Sequence, residues 1–167
     1  MENNSLLRTD KELAELYQRH ADLVYRLCYI YLKNSVDAED AVQSVFLKLI
    51  KSQMVFNDHE HEKAWLTVTT RNYCNDVLKY WWKSRRVDLD ALPEVADWSY
   101  AKPSGNVLEK LLSLPEKYKI VLYLYYFEEY SVREISEMLG QKESTIQTQL
   151  SRGRKRLKID LGGNYFE

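Results

Sequence analysis

Ser144, Thr145, Gln147, Thr148, Ser151, Arg152 and Lys155 crowd one short stretch of the chain. Their hydroxyls, amides and cations bond base edges and phosphates and do not break covalent bonds. At 100° per residue, Ser144, Thr148, Ser151, Arg152 and Lys155 fall on one side of a helix, flanked by Thr145, Gln147, Gln149, Arg154 and Arg156. Ile146, Leu150, Gly153 and Leu157 gather on the opposite, apolar side. The chemistry on offer is recognition of nucleic acid. An ordinary solvated helix whose basic end complements its dipole would also carry such cations, so the surrounding elements must decide.

Charge is unevenly distributed along the 167 residues, although the net value is only −1. Residues 1–62 sum to −4, 63–87 to +5, 88–109 to −4, 110–139 to −1 and 140–167 to +3. The two basic blocks are two candidate phosphate-facing surfaces. Catalysis has no footing: there is no Gly-rich phosphate loop, no HExxH, and no nucleophile set beside a base. His59 and His61 form a His-x-His in a polar stretch without further ligands, so neither a metal nor a cofactor is expected. Cys28 and Cys74 belong to no CxxC and are expected as reduced, half-buried thiols. No apolar run approaches the roughly 18 residues of a membrane span and the N-terminus lacks a signal-peptide pattern, so a cytoplasmic location is expected.

Seven helices can be read from the pattern. The first spans 9 to 33, with a Thr9/Glu12 capping box and an apolar stripe through Leu13, Leu16, Tyr17, Val24, Leu27, Cys28 and Tyr31. The second starts near Ser35 or Asp37 and repeats Ala38, Ala41, Val42, Val45, Phe46, Leu49 and Ile50. After a polar loop containing Asn57, Asp58 and His59, a third runs from about Glu62 to Arg86, acidic at its start and basic at its end. Periodicity then disappears, and Pro93, Pro103 and Gly105 amid acids mark a linker over 88–105. Beyond it, Asn106 with Glu109 can cap a fourth helix and Pro115 can open a Tyr-rich fifth. Ser131 with Glu134 caps a sixth, Gly140 turns the chain, and the hydrogen-bonding helix follows at once, a helix-turn-helix spacing. The fold class is all-α: a three-helix unit over 1–87 and a four-helix unit over 106–167, joined by the acidic linker.

These segments resemble a known family over nearly the whole chain. SVREISEMLGQKESTIQTQLSRGRKRLK is similar to region 4 of sigma factors of the extracytoplasmic-function (ECF) group, where a Glu-Ile-Ala-like helix, a Gly turn and a recognition helix run into an Arg-x-Arg-Lys-x-Leu tail. DAEDAVQSVFLKLIKS resembles the family segment that docks on the polymerase clamp helices. AWLTVTTRNYCNDVLKYWWKSRR resembles the one that opens and reads the minus-ten element, with Arg71, Asn72 and Asp76 where that motif has its Arg-Asn and Asp.

The resemblance implies a factor that binds RNA polymerase core, through its clamp and flap, and carries it to promoter DNA, double- and single-stranded. Asp40, Gln43, Ser44, Leu47 and Lys48 would dock on the clamp, with Leu47 the apolar residue on an otherwise polar face; Ser44 stands where the family usually has Glu. Arg71, Asn75, Lys79 and Lys83 would hold the opened minus-ten strand, with Asn57, Asp58 and His59 at the base-capturing loop. Trp65, Tyr73, Tyr80, Trp81 and Trp82 are available for stacking, although at helical spacing most are expected in the core. The linker would thread toward the active centre, and an anti-sigma protein is a further partner by family analogy. The alternative is a helix-turn-helix regulator that binds DNA without polymerase, which leaves residues 1–87 unexplained.

Overall fold

The computed structural model describes residues 8–84 and 105–161. The chain divides into two compact units, Met1–Ala96 and Asp97–Glu167. Among the described residues the first holds α1 (Asp10–Leu32), α2 (Ser35–Ser52) and α3 (His59–Ser84). The second holds α4 (Gly105–Ser113), α5 (Glu116–Tyr126), α6 (Val132–Leu139) and α7 (Glu143–Leu161). The all-helical architecture expected from periodicity is the one the chain forms; the stretch read as a linker lies, up to Gly105, outside the described residues.

Local chemistry sets the helix ends. Thr9 Oγ1 accepts from the Glu12 amide while Glu12 accepts from the Thr9 amide, a reciprocal cap that satisfies two orphan donors. Asn34 caps α2 by accepting from the Asp37 amide at 3.1 Å. The third helix begins three residues earlier than the charge pattern indicates, because Asp58 caps it: its Oδ1 accepts from the His61 amide at 2.7 Å and its carbonyl from Glu62. His59 therefore lies in the first turn of α3 and not in the loop.

In the first unit α1 packs against both α2 and α3. Leu16, Leu23, Val24, Leu27 and Ile30 of α1, Ala38, Ala41, Val45 and Leu49 of α2 and Leu66 of α3 are all buried in this unit; burying one Leu or Ile stabilises the fold by about 1.5–3 kcal/mol. Two residues placed in the apolar stripes face outward instead, Tyr17 at 49% and Ile50 at 47% exposure. Each follows a buried Leu, so the helix turns it 100° away from the core; Tyr17 keeps a ring contact with Phe46 at 4.8 Å. The thiols are fully buried and not half-buried. A hydrogen bond with Cys74, together with burial, pushes the Cys28 thiol far above its ordinary range.

The second unit is closed by α7, which packs on α4, α5 and α6. The helix-turn-helix forms as its residue types dictate. Ser131 and Glu134 make the capping box of α6, and Gly140, at φ 64°, ends it in the left-handed conformation that glycine adopts without penalty. Glycine at 153 lets α5 and α7 approach: a Cβ there would meet Leu122 Cδ1 at 2.9 Å and Tyr118 Cβ at 3.2 Å. Asn106 is not the cap of α4, because the helix already begins at Gly105.

Candidate nucleic-acid interface

The polar face of α7 stands as the helical wheel places it. Ile146, Leu150 and Leu157 are buried at 0–3% exposure and anchor the helix; Ser144, Thr145, Gln147, Thr148, Arg152 and Lys155 are exposed and Ser151 half-buried. Their availability differs in ways the wheel does not reveal. Thr148 Oγ1 donates back to the Ser144 carbonyl at 2.9 Å, so Thr148 offers its methyl group and oxygen lone pairs to a partner, not its proton. Gln149 is half-buried, and its buried Oε1 has no hydrogen-bond partner among the described residues. Two flanking cations tie α7 to α5: Arg154 donates to Tyr126 Oη at 3.0 Å, and Arg156 lies over the Tyr118 ring at 5.0 Å.

Tertiary packing adds a residue that sequence reasoning missed. Lys117, at the start of α5, lines a cavity of about 270 Å³ together with Ser144, Thr145, Thr148 and Arg152 of α7. It sits 27 positions before Ser144 in an unremarkable Glu-Lys-Tyr-Lys run, and no spacing rule connects the two.

In the first unit α3 buries only Leu66, Thr67, Thr70 and Cys74. Its last ten residues bury nothing, so the expectation that most of its aromatics are core is corrected. Tyr80 and Trp82 are 69% and 73% exposed, and Trp65, Tyr73 and Trp81 are half-buried. Lys79 and Lys83 are exposed beside them, and Arg71 and Asn75 are half-buried further back. A projecting helix end with two open rings between lysines offers stacking planes and countercharge together.

Asn57, Asp58 and His59 are all exposed at the other end of α3. The Asn57 amide donates to His61 Nδ1 at 3.2 Å. Behind them, Glu62 gathers three basic groups: His20 Nε2 at 2.9 Å, and Arg19 Nε and His59 Nδ1 at 3.3 Å each. Burial would raise the Glu62 carboxyl, but the His20 hydrogen bond and the charges of Arg19, His20 and His59 outweigh it and hold it below its ordinary value. Among the described residues no three His, Cys, Asp or Glu side chains are grouped to hold a metal ion.

On α2, Asp40, Gln43, Leu47 and Lys48 are exposed and Ser44 is half-buried, its hydroxyl donating to the Asp40 carbonyl. Lys48 is turned aside, its ammonium 5.3 Å from the Tyr73 ring centre. Val36 at 61%, Leu47 at 53% and Ile50 at 47% are the exposed large apolar residues of this helix.

Comparison with known proteins agrees with this geometry. The model of sigma-70 region 2 matches residues 16–86 and that of sigma-70 region 4 matches 104–157. The chain is 30% identical over 167 residues to the ECF RNA polymerase sigma factor SigW of Bacillus subtilis, covering 89% of this chain and 88% of that protein. It is 30% identical over 165 residues to the ECF RNA polymerase sigma factor SigE of Mycolicibacterium smegmatis, covering 92% of this chain and 63% of that longer protein. Its fold is similar to that of the sigma factor RpoE from Bartonella quintana, solved in complex with the anti-sigma factor NepR. The TM-score is 0.73 at 19% identity, over 93% of this chain and 99% of that one. With both regions matched in order, the chain belongs to the sigma-70 family of RNA polymerase sigma factors, in its extracytoplasmic-function group.

Proposed function

We propose that this chain joins RNA polymerase core and directs it to specific promoters, its first unit docking on the polymerase and engaging the minus-ten element and its second reading the minus-thirty-five element. The division of labour follows the segments 1–87, 88–105 and 106–167. The observation that favours this over a stand-alone regulator is the outer face of α2. Val36, Leu47 and Ile50, with Asp40 and Gln43 between them, follow the alternating four-and-three spacing of a seam that partner helices cover.

Asp40, Gln43, Ser44, Leu47 and Lys48 form the docking face for the clamp, and the second unit meets the flap. Within the major groove, Arg152 and Lys155 supply cationic contacts, Gln147 bonds an adenine edge, the Thr148 methyl group meets a thymine methyl, and Ser144, Thr145 and Ser151 complete the surface. Arg71, Asn75, Lys79 and Lys83 track the separated minus-ten strand, and Asn57, Asp58 and His59 border the captured base. Stacking on Tyr80 or Trp82 contributes roughly 1–3 kcal/mol per base, comparable with the few kcal/mol that unstacking costs. RNA synthesis itself belongs to the polymerase.

RpoE is held by an anti-sigma factor in its solved complex, and a partner of that kind is proposed here too. No helix among the described residues is long and apolar enough to cross a membrane, in keeping with action in the cytoplasm, where promoter DNA lies. Mixing the purified chain with polymerase core tests the reading: a complex should form and start transcription at one defined position. Binding to promoter DNA with no complex and no directed start would return the chain to the stand-alone class.

A further inference from the structure

The cleft between α5 and α7 is lined by two cations and by polar side chains. Its α5 wall brings Lys117 and Tyr118, and its α7 wall Ser144, Thr145, Thr148, Gln149 and Arg152. No carboxylate lines it, and the neighbouring acids Glu116 and Glu143 are not part of its wall. Lys117 and Arg152 are exposed, and neither has an ion-pair partner among the described residues. Tyr118, only 4% exposed, steadies the site: the Lys117 ammonium and the Arg156 guanidinium each lie 5.0 Å from its ring centre. Cations held over a fixed ring lose less freedom when they bind than cations free in water.

Cations from two helices and the Ser144 hydroxyl, lining a cleft without a carboxylate, match a phosphate group. We propose that this cleft seats one phosphodiester of the DNA backbone, and that Lys117 is a positioning residue fixing how deep and in which register α7 enters the major groove. The inference rests on the reading that α7 contacts promoter DNA. It adds a contact from outside the helix-turn-helix, made by a helix that reads no base.

The test uses holoenzyme assembled from the full chain and polymerase core, with duplexes carrying the upstream element. Lys117→Gln should weaken binding to every upstream sequence by the same factor, and the slope of log affinity against log salt should become shallower by about 0.9. Between about 50 and 200 mM salt, the wild-type advantage should therefore shrink roughly three- to fourfold. Lys117→Arg should keep both affinity and slope, and Lys117→Met, a second uncharged variant at this exposed position, should repeat the loss. Replacing single DNA phosphates by neutral methylphosphonates should reveal one position whose neutralisation weakens the wild type and adds nothing to Lys117→Gln. If wild-type holoenzyme binds the element and both uncharged variants keep its affinity and slope, the phosphate seat is wrong while the sigma-factor reading stands. A changed order of preference among sequences would equally overturn the positioning role. If wild-type holoenzyme shows no dependence on the upstream element, the underlying reading of α7 fails first.

Discussion

Glu62 ties the start of α3 to α1. It accepts from Arg19 and His20 of α1 and pairs with His59 one turn earlier, so a single carboxylate fastens α1 to the N-terminal end of α3. Because its folded pKa is depressed, its contribution is present above the unfolded value of about 4.3 and is lost as pH falls through the lower folded value. Glu62→Gln should cost about 1–2 kcal/mol at pH 7, with the difference from wild type fading below about pH 4. Urea unfolding followed by tryptophan fluorescence at both pH values checks this, since Trp65, Trp81 and Trp82 all lie on α3. A gap of equal size at pH 3 would mean that charge has no part in it. None of this could be read from the chain, where Arg19 and His20 stand more than forty positions from their partner and the His59/His61 pair looks like an isolated solvated motif.

Helices, by contrast, were largely legible. Capping boxes at Thr9 and Ser131, the glycine stop at 140 and the apolar stripe of α7 are local chemistry, and local chemistry is written in consecutive residues. Faces at stripe edges were not: Tyr17 and Ile50 are apolar by type, yet they turn outward because three packed helices cover only part of each circumference. That misreading concealed the exposure of Ile50 beside Leu47, the one apolar residue the pattern placed on the outer side of α2. With its side chain 53% exposed, Leu47→Glu should change folding stability by less than about 0.5 kcal/mol and abolish the complex with polymerase core. Circular dichroism with a core pull-down measures both; a normal spectrum with undiminished capture removes α2 as the docking face.

Across the whole molecule, the alternation of charge is the dominant feature. Asp88, Asp90, Glu94 and Asp97 lie in a −4 block between blocks of +5 and +3 along the chain, and negative charge carried on the same chain lowers its overall attraction for phosphate. The free chain should therefore bind promoter DNA weakly at physiological salt. Changing these four acids to their amides should raise the affinity of the free chain and steepen its salt dependence, measured by fluorescence anisotropy without polymerase. Equal affinity in wild type and variant at low salt would separate the acidic block from any role in restraining DNA binding.

The amino-acid sequence by itself determined that the chain is helical, where most helices begin and end, and which side of α7 is polar, because capping and periodicity act over three to seven residues. Only tertiary structure decided which apolar residues stay uncovered on α2, that Tyr80 and Trp82 project past the core, that Glu62 draws three basic groups together, and that Lys117 reaches the polar face of α7. These outcomes depend on which helix faces meet, and that is settled by shape and burial among residues far apart in the chain.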